Sequence, residues 1–149
     1  MQAMQVKRVS TRDTYQIRSK VLRPGRPIET CHFEGDAEDQ TFHLGAFVEN
    51  RLVSIASFYF RKNPAFESEN QFQLRGMATL KEYRGKGLSR ELLNVAFPMI
   101  KQNFCNLVWC NARTESKGFY ETVGFESEGQ VFNIEDVGEH ILMYKNIES

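Results

Sequence analysis

Apolar and polar residues alternate along several stretches of the chain, and this period-two pattern predicts strands. Residues 72–78 alternate in this way, and residues 6–9 form a shorter stretch that predicts an edge strand. Two apolar runs, residues 43–48 and 52–60, flank the polar break Glu49-Asn50-Arg51 and predict a hairpin. The first half of the chain therefore predicts a sheet.

Apolar residues three and four positions apart predict a helix from residue 88, because they fall on one face of a helix with 3.6 residues per turn. The members of this stripe are Leu88, Leu92, Val95, Ala96, Met99 and Ile100. Pro98 lies inside the stripe and is expected to kink or shorten the helix. Two further helices are predicted: one is capped by Thr11 and ends before Pro24-Gly25, and the other covers residues 114–123.

The remaining segments complete the order of elements. Residues 26–41 are polar and predict a loop with at most one helical turn, whereas residues 106–110, 125–134 and 140–147 predict strands. The result is an α/β fold with a mixed sheet, in the order β-α-(loop/α)-β-β-β-α-β-α-β-β. Consecutive strands are expected to pair antiparallel, and parallel pairing is expected only across the two later helices. No linker is evident, so residues 1–149 are predicted to form a single domain.

The charge of the chain narrows the classes of function. Its 19 Lys and Arg residues balance 19 Asp and Glu residues, whereas nucleic-acid-binding domains usually carry an excess of basic residues. No apolar run is long enough to span a bilayer, and residues 1–10 lack the apolar core of a signal peptide. We therefore expect a cytoplasmic protein with neither nucleic-acid nor membrane partners.

The three cysteines, Cys31, Cys105 and Cys110, contain no C-x-x-C pair. An odd number at these spacings is typical of neither a disulfide framework nor a zinc site. We therefore expect reduced thiols and no bound metal. Cys110 lies in an apolar run with no neighbouring base, which favours buried packing over a role as a covalent nucleophile.

Two closely spaced glycines, Gly85 and Gly87, lie between the strand that ends near Thr79 and the helix that begins near Leu88. Glycine lets backbone N–H groups converge on one point because no Cβ blocks the approach. The first N–H groups of a helix lack intrahelical acceptors and lie at the positive end of its dipole. Such a loop can bind a diphosphate. The basic residues around it are Lys81, Arg84, Lys86 and Arg90.

Two nucleotide-binding motifs do not fit this loop. A Walker loop needs glycine where Leu80 stands, and the dinucleotide fingerprint needs glycine where Arg90 stands. A tight strand-to-helix turn without a ligand is the remaining alternative for a bare G-x-G pattern.

The segment Arg84-Gly85-Lys86-Gly87-Leu88-Ser89 resembles the acetyl-CoA loop of the GNAT family (GCN5-related N-acetyltransferases), whose pattern is Arg/Gln-x-x-Gly-x-Gly/Ala. Ser89 stands at the last position of this pattern, where the family has Gly or Ala, but its side chain is also small. A second segment, Phe119-Tyr120-Glu121-Thr122-Val123-Gly124-Phe125, resembles the Phe-Tyr-x-x-x-Gly-Phe signature of the same family. Residues 22–27, 74–79 and 111–114 resemble an uncharacterised bacterial subgroup.

The resemblance implies a GNAT-like fold and direct transfer of an acetyl group from acetyl-CoA, a co-substrate, to a primary amine of a small molecule or a peptide. It implies that the pantetheine arm binds the strand backbone at Met77, Ala78 and Thr79, and Gly76 would open that strand through a bulge. It also implies that the coenzyme is held by the loop residues Arg84, Gly85, Lys86, Gly87, Leu88 and Ser89.

Tyr120 is implied to border the coenzyme and to protonate the departing thiolate, because a phenol with a pKa of about 10 is protonated at neutral pH. Simple aromatic packing is the alternative. His140 is a candidate base, because histidine titrates near neutrality and the last strands border the acceptor site in this family; a surface histidine is the alternative. Arg113 is a candidate contact with the coenzyme or with an acidic group of the acceptor. Glu34 and Asn111 are candidate acceptor-binding residues.

Two rival functions remain open at this point. A non-catalytic acyl-CoA sensor would bind the coenzyme and release no thiol, whereas an interaction domain would keep the glycine loop only as a turn. A homodimer also stays open, because the final strands could pair or exchange between two copies.

Overall fold

A computed structural model describes residues 3–147 of the chain. Its strands are β1 (Met4–Val9), β2 (Phe42–Val48), β3 (Arg51–Phe60), β4 (Gln71–Thr79), β5 (Leu107–Arg113), β6 (Glu126–Ile134) and β7 (Gly138–Asn146). Its α-helices are α1 (Thr11–Ile17), α2 (Leu88–Gln102) and α3 (Lys117–Thr122), and a π-helical turn, Arg18–Leu22, continues α1. Single turns of 3-10 helix occupy Ile28–Cys31, Lys81–Tyr83 and Thr114–Ser116. The predicted order of strands and helices is confirmed.

Strand pairing gives a mixed sheet in the order β1-β2-β3-β4-β5-β7-β6. β2 pairs antiparallel with both β1 and β3, and β4 pairs parallel with β5 across α2, as predicted. The second predicted parallel pair, across α3, is wrong. A short turn returns the chain from β6 into β7, and β7 rather than β6 occupies the place beside β5, antiparallel to both neighbours.

Residue contacts divide the described chain into two units, residues 3–59 with 74–98 and residues 60–73 with 99–147. Apolar side chains from the strands and from α2 form the core of the first unit, notably Leu44, Val53, Ile55, Phe58, Leu74, Leu92 and Leu93. Burial of such side chains away from water is the main stabilising contribution in a unit of this size.

The second unit is organised around Trp109 of β5. Trp109 packs with Phe66 and Leu107, and the half-buried Leu142 and Tyr144 of β7 cover this cluster. The indole N–H donates a hydrogen bond to the backbone carbonyl of residue 61 at 2.9 Å. The largest side chain of this core is therefore buried with its polar atom satisfied.

α1 begins with a capping box that sits one residue earlier than predicted. The Ser10 hydroxyl accepts a hydrogen bond from the Asp13 N–H at 3.2 Å, and the Asp13 carboxylate accepts one from the Ser10 N–H at 3.1 Å. The prediction that Thr11 caps the helix is wrong, because its hydroxyl donates instead to the Asp36 carbonyl at 3.0 Å.

The hairpin between β2 and β3 turns through two residues rather than three. Glu49 and Asn50 have φ values of 49° and 69°, and Arg51 already belongs to β3. Two consecutive left-handed residues correspond to a type I′ turn, whose twist matches that of the flanking strands. The hairpin is therefore confirmed without the glycine that usually marks such a turn.

α2 continues through Pro98 to Gln102, so the proline does not shorten the helix. Proline removes the N–H that would have bonded the Asn94 carbonyl, but both residues are exposed and water can satisfy that carbonyl. The predicted apolar stripe of α2 is wrong at one position, because it included Val95 and omitted Leu93. Val95 is 36% exposed, whereas Leu93 is fully buried, because Leu93 lies three positions before the buried Ala96 and on the same face.

A buried ion pair in the first unit joins Arg18, just after α1, to Asp36. Arg18 is fully buried and Asp36 is 9% exposed. The guanidinium group donates to both carboxylate oxygens, at 2.7 and 3.0 Å. This bidentate arrangement is the strong form of a charge-assisted hydrogen bond.

Asp36 accepts two further hydrogen bonds through its carboxylate. The Phe33 N–H donates at 2.8 Å and the Tyr59 hydroxyl at 2.5 Å. Burial alone would raise the pKa of Asp36, but the hydrogen bonds from Arg18, Tyr59 and Phe33 outweigh it and hold that pKa below its ordinary value. Burial also raises the pKa of Tyr59 to about 12, so the phenol remains a donor.

His43 and Ser57 extend this network. Arg18 donates to the Ser57 hydroxyl at 2.9 Å, and that hydroxyl lies 2.7 Å from His43 Nδ1. His43 Nε2 lies 3.1 Å from the Asp36 carbonyl oxygen. A carbonyl can only accept, so we assign the proton to Nε2, and Nδ1 accepts from Ser57. Burial lowers the pKa of His43, which agrees with a neutral ring.

We expect Asp36→Ala to lower the free energy of unfolding by about 3–5 kcal/mol, because it leaves Arg18 buried without its anion. Urea denaturation at neutral pH measures this loss. Glu69→Ala is the matched control: its ion pair with Lys62, at 2.8 Å, is exposed and should contribute less than about 1 kcal/mol. Equal losses in the two variants would contradict the stabilising role of the buried pair.

The difference in stability between wild type and Asp36→Ala should also depend on pH. The pKa of Asp36 is lower in the folded chain than in the unfolded chain, where it is about 3.9. The contribution of Asp36 is therefore complete above the unfolded pKa and is lost as the pH falls through the lower, folded pKa. Unfolding free energies of the two proteins should converge under acidic conditions, and a constant difference would oppose this account.

Candidate functional site

The loop between β4 and α2 presents backbone N–H groups at the start of a helix. The Gly87 carbonyl accepts the first helical hydrogen bond, from the Glu91 N–H at 3.1 Å. The N–H groups of Leu88 and Ser89 lie in the first turn, where a helix offers no acceptor. The 15 residues of α2 align their peptide dipoles with the positive end at this loop.

Gly85 and Gly87 both adopt left-handed backbone conformations, with φ values of +77° and +79°. Apart from each glycine and its two chain neighbours, no heavy atom of the described chain lies within 4 Å of the position that a Cβ would take on either residue. Glycine is therefore needed for the backbone conformation and not because of crowding. The open space lets the oxygen atoms of an anion reach the N–H groups.

Exposed basic side chains flank the loop. The Arg84 Nε–H donates to the Thr79 carbonyl at 3.2 Å, so this arginine joins the loop to the end of β4. Lys86 Nζ lies 5.9 Å from the ring centroid of Tyr83. These contacts keep two positive charges beside the glycines, where an anion would be stabilised.

Ser89 departs from the Gly/Ala of the resembled pattern, and its contacts show how the departure is accommodated. The Ser89 hydroxyl lies 3.2 Å from Thr79 Oγ1, which lies 2.7 Å from the Ser54 hydroxyl. The side chain of Ser89 is thus directed toward β4. It joins the start of α2 to the strands without replacing the backbone N–H.

The residues predicted to bind the pantetheine arm, Met77, Ala78 and Thr79, form the end of β4. Ala78 is buried, whereas Met77 and Thr79 are half-buried. Gly76 precedes them with φ +65°, a value outside the β region. The strand is therefore irregular at the residue where the sequence predicted a bulge; the bulge itself stays a prediction.

Tyr120 lies on α3 in the second unit and is 8% exposed. Its ring centroid lies 5.3 Å from that of Phe119 and 5.2 Å from that of Phe125. Burial, with a smaller contribution from Cys110, raises the pKa of the Tyr120 phenol. Burial also raises the pKa of the Cys110 thiol. The phenol therefore holds its proton at neutral pH, and Cys110 is a buried thiol as predicted.

His140 lies on β7, opposite Arg113 of β5 in the antiparallel register. It is 5% exposed, so the surface alternative is wrong. Its Nδ1–H donates to the Gly138 carbonyl at 2.8 Å, and the neutral ring then carries its lone pair on Nε2. Arg113 Nη1 lies 3.9 Å from the Glu115 carboxylate, and Asn111 is exposed on the same strand.

The predicted site residues are distributed over both units. The first unit contains the glycine loop, the end of β4 and the exposed Glu34. The second unit contains Asn111, Arg113, Tyr120 and His140. Within the second unit, only Arg113 and His140 are direct partners in a strand register.

Comparison with known proteins identifies the family. The pattern of the Acetyltransferase (GNAT) domain matches residues 27–145 of the chain. The chain is 40% identical over 144 residues to the uncharacterized N-acetyltransferase YitI of Bacillus subtilis strain 168, and the alignment covers 97% of each protein. The chain belongs to the GNAT acetyltransferase family. It is thus an acyl-CoA-dependent N-acyltransferase, which sets aside the two non-enzymatic alternatives.

Solved structures of the GNAT fold resemble this acyltransferase along almost its whole length. An acyl-CoA N-acyltransferase from Pseudomonas aeruginosa superposes with a TM-score of 0.70 at 20% identity, covering 97% of this chain and 99% of that one. The ribosomal-protein-S18-alanine N-acetyltransferase from Escherichia coli gives a TM-score of 0.73 at 16% identity, covering 99% of this chain and 96% of that one. These likenesses establish the fold and leave the acceptor open.

The sequence analysis missed a group of arginines around Phe33. The Cζ atoms of Arg18, Arg75 and Arg23 lie 4.0, 4.8 and 5.6 Å from the centroid of the Phe33 ring. We call these four residues the Phe33 cluster. One signal was available, because Arg18 follows the buried Thr14 by four positions and therefore falls on the inward face of the helix.

Neither a metal-binding cluster nor a membrane-spanning helix is present in the described part of the chain. Among residues 3–147, no group of three or more His, Cys, Asp or Glu side chains is placed to hold a metal ion. Over the same residues, none of the helices combines the length and apolar character needed to cross a membrane.

We expect Cys110 to resist alkylation in the folded enzyme, because burial raises its pKa and leaves little reactive thiolate. Iodoacetamide treatment and peptide mass spectrometry should find Cys110 unmodified in native protein and modified in urea. Incubation with acetyl-CoA should likewise leave no acetyl thioester on Cys110. Detection of that thioester would support a covalent intermediate and oppose direct transfer.

Proposed function

We propose that this acyltransferase moves an acetyl group from acetyl-CoA to the primary amine of a small molecule or a peptide, by direct attack while both substrates are bound. The observation that carries this proposal is the left-handed pair Gly85 and Gly87, with open space above both, at the start of α2. Holding two reactants in line can lower a barrier by about 7–11 kcal/mol. Direct transfer therefore has a sufficient source of rate without a covalent intermediate.

In this proposal the diphosphate of acetyl-CoA is bound mainly by the backbone. The loop from Gly85 to Ser89 leads into the positive end of α2, where free N–H groups and the helix dipole favour a negative charge. Arg84 and Lys86 add charge at the rim of the site. Because the backbone of the loop is already held by the Arg84 and Ser89 contacts with Thr79, little ordering remains when the coenzyme binds.

The pantetheine arm is proposed to bind the backbone at Met77, Ala78 and Thr79. Only Leu80 and the 3-10 turn Lys81–Tyr83 separate these residues from the glycine loop, so the arm and the diphosphate would occupy neighbouring parts of one chain segment. Gly76 marks the other end of this stretch through its positive φ. The acetyl thioester is therefore expected near the Gly76 end of β4.

Tyr120 is proposed as the proton donor to the departing thiolate. Its raised pKa keeps the phenol protonated, which is the first requirement of an acid. A thiolate in a buried site is penalised by the same loss of solvation, so its proton affinity rises as well. Proton donation from Tyr120 therefore remains feasible although burial raises the pKa of the donor.

His140 is proposed as the base that receives the proton of the amine. The hydrogen bond from its Nδ1 to Gly138 leaves Nε2 as the basic atom of the neutral ring. We propose Glu34 and Asn111 as acceptor-binding residues, and Arg113 as a contact with the coenzyme or with an acidic group of the acceptor.

The same proposal treats residues 1–149 as one acetyltransferase domain, because the family match over residues 27–145 runs through both units. The free cysteines Cys31, Cys105 and Cys110 are all buried, in keeping with a cytoplasmic enzyme. A homodimer would use β6, whose side chains are exposed over nearly its whole length, because an edge strand can pair with a second chain.

Acetyl-CoA should raise the melting temperature of the wild-type enzyme, because a ligand that binds only the folded chain stabilises it. Differential scanning fluorimetry at increasing acetyl-CoA concentrations measures this shift. Gly87→Ala should reduce the shift, because its methyl group enters the proposed diphosphate site. The strain of a left-handed alanine, about 1–2 kcal/mol, would also displace the N–H groups.

Gly129→Ala is the matched control for this experiment. Gly129 has φ +77° and, within the described chain, no heavy atom near its Cβ position, but it lies on β6. The control should lose similar intrinsic stability and keep the full acetyl-CoA shift. Equal shifts in wild type, Gly87→Ala and Gly129→Ala would argue against the loop as the coenzyme site.

Tyr120→Phe should lower kcat by about a hundredfold, because general acid catalysis typically contributes that much or more. The KM for acetyl-CoA should change little. A thiol-release assay over a panel of amines identifies the acceptor and then measures both constants. Tyr144→Phe is the control, because Tyr144 packs against Phe66 at 4.9 Å between ring centroids. Unchanged kcat in Tyr120→Phe would remove the acid role.

A further inference from the structure

Arg51, an exposed residue at the start of β3, lies beside the segment that joins β4 to the glycine loop. The Leu80 N–H donates to the Val53 carbonyl at 2.9 Å, so the two chain segments are direct neighbours. Arg51 Cζ lies 5.6 Å from the ring centroid of the half-buried Tyr83, which follows Leu80 in a 3-10 turn. All four residues belong to the first unit. A cation from another strand is therefore positioned next to the proposed coenzyme site.

Lys86 approaches the same ring from within the glycine loop, with its Nζ 5.9 Å from the Tyr83 centroid. Both cations thus lie within about 6 Å of one aromatic ring, the range in which the ring attracts a positive charge. This attraction offsets part of the repulsion between the two like charges and limits where the two long side chains lie. We call Arg51, Tyr83 and Lys86 the Tyr83 cluster.

No carboxylate of the described chain compensates the two charges of the Tyr83 cluster. Within residues 3–147, no carboxylate oxygen lies within 4 Å of a side-chain nitrogen of Arg51 or Lys86. Their acidic neighbours in the chain, Glu49 and Glu82, are exposed and lie beyond that distance. The cluster therefore presents two exposed cations that can bind an anion.

Acetyl-CoA carries an anionic group that the proposed diphosphate site does not use. Its ribose bears a 3′-phosphate, a monoester with nearly two negative charges at neutral pH, because the second pKa of such a group is about 6. Two cations match this charge. The planar fork of an arginine can donate to two phosphate oxygens, and a lysine adds a point charge.

The position of Lys86 relates the cluster to the diphosphate site. Lys86 lies between Gly85 and Gly87 in the chain, whereas its ammonium group lies near Tyr83. In the coenzyme, the ribose that bears the 3′-phosphate is joined through its 5′ oxygen to the diphosphate. The two phosphate groups are therefore close together in one molecule, as the glycine loop and the Tyr83 cluster are in the first unit.

We propose that Arg51, together with Lys86, binds the 3′-phosphate of acetyl-CoA, and that Tyr83 is a positioning residue for both cations. The inference rests on the proposed function and extends its coenzyme site to a residue of β3. The diphosphate keeps its backbone donors. Arg51 therefore sets the preference for the phosphorylated coenzyme, and its loss weakens binding without abolishing it.

Acetyl-CoA and acetyl-3′-dephospho-CoA differ by this phosphate alone, and their Kd values test the inference. Isothermal titration calorimetry measures both Kd values without an acceptor amine. We expect wild type to bind acetyl-CoA about tenfold more tightly, near the lower limit for hydrogen bonds to a charged group, because the cluster is exposed. The preference should decrease as the salt concentration rises, because salt screens exposed charges.

Arg51→Gln should remove most of this preference by raising the Kd for acetyl-CoA. The Kd for the dephosphorylated analogue should change little, because Arg51 lies outside the loop. Arg51→Lys keeps the charge but loses the planar fork, so it should restore only part of the preference. Lys86→Gln should weaken the binding of both coenzymes, because Lys86 also lies at the rim of the diphosphate site.

Two further variants test the positioning role of the ring. Tyr83→Leu should reduce the preference, because an aliphatic side chain does not attract the two cations, whereas Tyr83→Phe keeps the ring and should retain it. Arg12→Gln is the control for charge alone: it removes an exposed arginine of α1 in the same unit and should leave both Kd values unchanged.

The outcomes separate the inference from the function on which it rests. Equal Kd values of wild type for the two coenzymes, or an equal loss of affinity for both in Arg51→Gln, would overturn the 3′-phosphate contact and leave the diphosphate site intact. Failure of wild type to bind either coenzyme would overturn the proposed coenzyme site, and this inference with it. A preference that falls in Arg51→Gln and Tyr83→Leu but persists in Arg12→Gln and Tyr83→Phe supports the inference.

Discussion

The hydrogen bonds around Thr79 fix the backbone amides at the start of α2, and the proposed chemistry depends on those amides. The Thr79 hydroxyl lies within hydrogen-bond distance of Ser54 and Ser89, and its carbonyl accepts from Arg84. One residue at the end of β4 thus joins a neighbouring strand, the loop and the helix. Because these N–H groups are already positioned, binding of the coenzyme at the proposed site would not have to order them.

The glycine loop and the helix that follows it could be predicted because their determinants are local. Gly85 and Gly87 impose their effect within a few residues, and the helix stripe can be counted along the chain. The predictions failed where two neighbouring residues were almost equally suited to one role, or where the structure depends on segments that are far apart in the sequence. Ser10 rather than Thr11 caps α1, because only Ser10 gains the reciprocal bond from Asp13. The place of β7 beside β5 depends on strand pairing, which no single stretch of sequence encodes.

The buried network around Asp36 lay beyond sequence reasoning for the same reason. Asp36 meets Arg18 across 18 positions of sequence and Tyr59 across 23. A polar loop that contains several acidic residues gives no sign that one of them will be buried. The balanced net charge conceals the pairing further, because a sum over the chain does not record which charges meet. Only the folded backbone shows that Asp36 holds the segment containing Phe33.

The proposed coenzyme site uses backbone donors, and this explains how it accommodates a departure from the family pattern. Backbone amides bind a diphosphate independently of most side chains, so the loop tolerates Ser89 in place of Gly or Ala. A coenzyme site that depends little on side chains would let one fold keep its reaction while its acceptor changes.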